Sequence, residues 1–220
     1  MPNALIPQSF WFRTALRCPR VDGIPILAAN KPLLDLPDSC LLPDFGAFDG
    51  KAAWAEVRVA WNPGGLAIQV DSSGKVGRYV RDEDLPEASD GVHVWIDTRD
   101  ARDIHRATKF CHRFSATLES QPRGSIDVRV EPRKIHRALA DPTGTRPSAI
   151  KAQAVAKADG ARVMLFFPSE SLHGFDPDTN RRLGFTYQIT DPGRAAHWLA
   201  LGSEFPVGED PSLWATLELV

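Results

Sequence analysis

The 220 residues (24.2 kDa) are 43% apolar and 25% charged, a balance typical of folded globular chains that excludes general disorder. A formal charge of −2 and a pI near 6.3 give no overall field for nucleic acid. The longest apolar run, Val163-Met164-Leu165-Phe166-Phe167, is far short of the roughly 20 residues a membrane helix needs. Residues 1–48 hold seven prolines, an apolar patch at Phe10-Trp11-Phe12 and no helical period, which predicts one edge strand and an irregular wrapping segment. After Gly50 the pattern alternates with period two. Ala55, Val57, Val59 and Trp61 fall on one face, with Glu56, Arg58 and Ala60 on the other. Asn62-Pro63-Gly64-Gly65 then makes a turn, and Leu66, Ile68 and Val70 resume the alternation, as a hairpin would.

Val92, Val94 and Ile96 form a further inward row, leaving His93, Trp95 and Asp97 on the opposite face. Residues 100–112 carry Ile104, Ala107 and Cys111 at helical spacing, but a loop leading into a strand over about 109–118 fits Phe110, His112 and Phe114 better. Four more strands are expected at 150–157, 161–167, 183–190 and 213–219, with Asp159-Gly160 turning between the first two and a single turn at Ser169–Leu172. Many short strands separated by turns predict an all-β chain, a β-sandwich or jelly roll. No strong linker divides it, so residues 1–220 read as one domain, with 1–48 wrapped on a sandwich of 49–220.

Cys18, Cys40 and Cys111 are an odd number without metal-ligand spacing. With no basic start followed by an apolar stretch at the N-terminus, they read as reduced thiols of a cytoplasmic protein. The segment 98–147 is net positive between two acidic flanks. No aromatic-basic motif accompanies it, so a solvated region fits better than a nucleic-acid patch.

The motifs in order are Val57-Arg58-Val59-Ala60-Trp61, Asp90-Gly91-Val92-His93-Val94-Trp95-Ile96-Asp97, Gly184-Phe185-Thr186-Tyr187-Gln188-Ile189-Thr190-Asp191, and Asp210-Pro211-Ser212 leading to Leu217 and Leu219. From about residue 50 to the end this succession resembles the family-9 carbohydrate-binding modules, which share a jelly-roll sandwich with DOMON-like domains. The resemblance implies a non-catalytic sugar-binding module. Sugar-binding members hold their ligand between two tryptophans; the matching positions here are Glu87 and Gly208. An acidic sugar-binding residue falls at His93, while Gln188 and Arg113 keep polar character. Trp95 and Trp198 are the candidates for a different aromatic platform.

The ligand-binding candidates are therefore His93, Trp95, Arg113, Gln188, Trp198 and Glu87, expected to form a polar groove with an aromatic wall. The competing reading makes Trp95 a packing residue and has His93 bonded to a backbone carbonyl. His105, Cys111, His112 and His136 could ligate a metal, yet their spacing matches no recognised pattern. Arg102, Arg106, Lys109 and Arg113 beside them suit an anion better. Asp176-Pro177-Asp178-Thr179-Asn180 begins like a calcium loop, but Arg181 and Tyr187 stand where Gly and Glu are needed. Calcium at Asp71 or Asp97 is the one cofactor left open. There is no Gly-x-Ser-x-Gly elbow and no glycine-rich phosphate loop. The expected function is non-catalytic binding of a carbohydrate or other small polar ligand, with no nucleic acid or membrane partner. The alternatives are an intracellular protein-interaction or structural domain that has lost sugar binding, or an enzyme built on His105, His112 and His136.

Overall fold

The computed structural model describes residues 6–11 and 15–220; Phe12 of the N-terminal apolar patch lies outside them. Two sheets face each other. One runs β1 (Ala15–Cys18), β11 (Ala215–Leu219), β9 (Arg182–Thr190), β4 (Gly91–Asp97), β5 (Cys111–Ser120), β6 (Ile126–Arg133), with the short β10 (His197–Trp198) also paired to β9. The other runs β2 (Ala55–Asn62), β3 (Gly65–Ser72), β8 (Ala161–Pro168), β7 (Lys151–Ala156). Every pairing is antiparallel except that of β1 with β11.

The alternation read from the sequence sets what faces the core. Val57, Val59 and Trp61 of β2 and Ile68 and Val70 of β3 meet Val92, Val94 and Ile96 of β4 in one buried cluster. The expected hairpin forms with full register from Ala55↔Ser72 to Asn62↔Gly65. Asn62 holds its turn: Oδ1 accepts from the Gly64 amide (2.8 Å) and Nδ2 donates to the Ile24 carbonyl (2.8 Å). Gly65 has φ 151°, and a Cβ there would lie 2.1 Å from the Phe167 carbonyl oxygen, so only glycine lets β8 approach.

The run Val163–Phe167 is apolar throughout because β8 is covered on both faces. Val163, Leu165 and Phe167 enter the central core, while Met164 and Phe166 pack under Leu33, Leu34, Leu36 and Cys40 of the N-terminal segment. That segment wraps the outside of the smaller sheet, with β1 at the edge of the larger one. Residues 100–110 do form a loop leading into β5. The last strand begins at Ala215 rather than 213, because Pro211–Leu213 make a 3-10 turn capped by Asp210. Ser169–Ser171 is a single 3-10 turn, as expected. β6 and β10 were not anticipated. All three cysteines are buried and unpaired, and burial raises each thiol, that of Cys111 to about 12.

Candidate functional site

Residues directly opposite in a ladder share a face. The outer face of the larger sheet therefore carries two neighbouring rows. One runs Trp198, Gln188, His93, Ser115, Glu131; the next runs Thr186, Trp95, Arg113, Arg133. Glu87, in the 3-10 turn Pro86–Ala88 of the β3–β4 connection, reaches over this face to pair with Arg113 Nη2. All six sequence candidates thus converge on one surface, although they play unequal parts.

His93 is fully buried, and its bonds differ from the backbone contact that the packing alternative called for. Nδ1 lies 2.9 Å from Ser115 Oγ and Nε2 lies 3.2 Å from Thr190 Oγ1. Thr190 donates its own proton to the Ser89 carbonyl (2.7 Å), so His93 must donate from Nε2 and accept at Nδ1. Burial, with Arg113 nearby, pushes the imidazole down to about 4, so the ring is neutral.

Trp95 is 2% exposed. Its ring stacks on Trp198 (centroids 6.1 Å apart, planes 23° apart) on one side and carries the Arg113 guanidinium 5.1 Å from its centroid. Its Nε1 donates to the Gly208 carbonyl (3.1 Å), and a Cβ at 208 would already touch Trp95 Cζ2 at 3.6 Å. The Trp95 indole fills the ground beside position 208. Loops close over it with Ala107, Ile135, Leu201, Val207 and Trp214. His93 and Trp95 are therefore corrected from ligand-contacting groups to supports, because neither offers surface to a ligand. Trp95→Ala is expected to cost about 3 kcal/mol of stability in a urea melt, as loss of a packed tryptophan does.

The groups with surface to offer are Trp198, Gln188, Arg113 and Glu87, all partly or largely exposed. Burial would raise the Glu87 carboxyl, but its own amide and Arg113 hold it below the usual range, so it stays ionised. Glu87 and Gln188 line an open cavity of about 360 Å³ that continues past Thr190 and Asp191 to Arg194. Small-ligand sites have this scale, and here five of the eight lining residues are polar or charged.

Lys75, which the sequence reading missed, braces the cavity from behind. Its Nζ lies 2.6 Å from Asp90 Oδ1 and 2.9 Å from Asp191 Oδ1, all three side chains being buried. Asp90 opens one motif and Asp191 closes another. Those two carboxylates at strand ends were the available signal that a cation joins them.

The three histidines of the enzyme alternative are not brought together. His112 faces the sandwich interior beside Phe114, fully buried, with Nε2 3.3 Å from the His173 carbonyl. His105 and His136 are exposed and paired to Asp210 (3.0 Å) and Glu209 (3.0 Å). The basic residues of that segment make contacts within the chain. Arg102 donates to the Trp214 carbonyl, Arg106 to the Arg137 carbonyl, and Lys109 lies over the Phe110 ring. No cluster of three or more His, Cys, Asp or Glu suited to a metal occurs among the described residues. At the two candidate calcium positions, Asp71 is held by Arg162 and Lys157 (2.8 and 3.2 Å), while Asp97 accepts from the Arg99 and Ala101 amides. Asp176 closes a turn on Thr179 rather than beginning a calcium loop.

No protein-family model and no curated protein sequence matches the chain. Two solved structures match it along nearly its whole length. A carbohydrate-binding module of family 9 from Caldicellulosiruptor kristjanssonii in complex with cellotriose is 13% identical, with TM-score 0.58, over 94% of this chain and 93% of that one. Such a module from the same organism in complex with glucose is also 13% identical, with TM-score 0.60, over 93% and 95%. The chain has the β-sandwich fold of the family-9 carbohydrate-binding modules. At this identity the likeness concerns the fold.

Proposed function

We propose that the chain is a non-catalytic binding domain for a carbohydrate, held on the outer face of the larger sheet. One observation carries this reading: Trp198 presents an indole backed by Trp95 beside its ladder partner Gln188, and Gln188 lines an open cavity together with Glu87, which pairs with Arg113. A sugar's C–H face suits the indole, and its hydroxyls suit paired donors and acceptors. The solved neighbours of the same fold, in complex with glucose and cellotriose, support the ligand class. In place of a two-tryptophan clamp, the platform is one half-buried ring, and the ion pair at Glu87 takes the second side. His93 and Trp95 position these groups from beneath.

The test is a titration of intrinsic tryptophan fluorescence and melting temperature with mono- and oligosaccharides. A saturable response is expected, weakened at least about tenfold by Trp198→Ala, whose far-UV circular dichroism should match the parent. No response to any sugar at millimolar concentration would end this reading, and a protein partner would then be sought by affinity capture.

A further inference from the structure

The smaller sheet carries an open cavity of its own, of about 650 Å³, between the N-terminal segment and the edge strand β7. Lys31, Lys157 and Arg162 line it, with Gln153 beside them and Pro32 and Val155 as apolar wall; no carboxylate among the described residues does. The polar groups are set in advance. Asp71, Arg162 and Val155 form one ladder row across β3, β8 and β7. Buried Asp71 accepts from Arg162 Nε (2.8 Å) and Lys157 Nζ (3.2 Å), which fixes both cations at the cavity wall. Gln153 Oε1 accepts from the Leu33 amide (2.7 Å), which ties the segment carrying Lys31 and Pro32 to β7 and leaves the Gln153 amide nitrogen as a donor.

Most of the donors are unspent. Arg162 makes no hydrogen bond from either Nη among the described residues; Nη1 lies 3.9 Å from the exposed Asp35, beyond hydrogen-bond reach. Lys157 has one bond for three N–H groups, and Lys31 Nζ has no partner among the described residues. Three cations against Asp71 and Asp35 leave a positive excess. We propose that this cavity binds a phosphate or sulfate group carried by a small organic molecule. A carboxylate offers two oxygens in one plane, whereas a tetrahedral oxyanion offers more oxygens to donors arriving from different elements. The Arg162 fork and the ammonium groups of Lys31 and Lys157 take those oxygens, and the organic part lies on Pro32 and Val155. The cavity has the scale of a small-molecule site, well beyond that of a bare ion. This site is on the opposite sheet from the carbohydrate surface and stands independently of that reading.

The experiment is a calorimetric titration of the full chain, at constant ionic strength, with inorganic phosphate, inorganic sulfate, phenyl phosphate, phenyl sulfate and acetate. At least one phenyl ester is expected to bind about tenfold more tightly than its inorganic ion or acetate, and the ratio of the two esters identifies the group. Lys31→Glu, which breaks no contact within the chain, is expected to weaken that binding at least about tenfold while leaving the melting temperature unchanged. Arg162→Lys keeps the charge beside Asp71 but removes the fork, and several-fold weaker binding is expected. No binding of either ester at millimolar concentration, or binding that Lys31→Glu leaves intact, would overturn the proposal. Acetate binding as tightly as the esters would overturn the tetrahedral preference, and equal affinity for the inorganic ions and their esters would overturn the organic part.

Discussion

Lys75→Met is expected to cost about 3–5 kcal/mol of folding stability at pH 7, because it strands charge inside the protein. The ammonium is 8% exposed and the two carboxylates it joins are 2% and 7% exposed, so water cannot replace it. Asp191 keeps a second cation in Arg194, whereas Asp90 keeps only the Val80 amide (2.8 Å). Asp90 is thus the group left uncompensated. Even in the intact protein, burial outweighs Lys75 and raises its carboxyl above the ordinary range. A carboxyl raised in the folded state stabilises when protonated, and that contribution is lost as pH rises through its folded value. The variant's deficit should therefore be largest at neutral pH and shrink toward pH 4. Urea unfolding at pH 7 and pH 5 measures both effects, and adding Asp90→Asn should recover at least half the loss. A Lys75→Met midpoint within 1 M of the parent's would mean the cluster is far more hydrated than its burial indicates.

A second large effect is loss of stability in mild acid. His93 and His112 are both fully buried, and burial pushes each down to about 4 from about 6.5 in an unfolded chain. Between these values the unfolded chain binds protons that the folded protein refuses, so stability falls as pH drops from 6.5 to 4. At about 1.4 kcal/mol per tenfold change in proton affinity, each histidine is responsible for roughly 3 kcal/mol across the window. Together they approach the whole stability of an ordinary domain, about 5–15 kcal/mol. His197 is lowered in the same direction. Asp90, Asp97 and Asp100, raised by burial, act in the opposite sense. Urea midpoints at pH 7, 5.5 and 4.5 should decline steadily in the parent and far less in a His93→Gln/His112→Gln double variant. Parallel declines in the two proteins would assign the acid sensitivity to other groups.

The sandwich was legible where alternation is strict and the turn chemistry is explicit. Ala55 to Trp61, Asn62-Pro63-Gly64-Gly65, and Val92 to Ile96 each determine a face by themselves. β6 carried the same signal in Ile126, Val128 and Val130, which pack against the core as the pattern requires. It was hidden by Pro132 and by the arginines around it, which an edge strand tolerates. β10 spans two residues, too few for any period.

The site was legible as a set of residues and illegible as surface. Alternation puts Trp95 opposite the core, but whether that side is open depends on loops 100–110, 134–139 and 199–214. Their apolar residues, such as Ile104 and Leu201, follow no period yet fold down over the ring. Lys75 lies in a connection without regular structure, and only the closure of β4 against β9 brings Asp90 and Asp191 within its reach.

The parallel ladder between β1 and β11 has a consequence for how the chain is made. Ala15 pairs with Thr216 and Cys18 with Leu219, and the Val220 carbonyl accepts from the Arg20 amide and the Trp61 indole. Among the described strands β1 is made before all the others, and the one strand it pairs with, β11, is made last of them. During elongation Leu16 and Cys18, both destined for the interior, have no sheet to enter. Completion of this seam is a late, long-range step, and a nascent chain stalled before residue 215 should stay open to proteolysis at its first strand even after the β2–β3 hairpin has closed.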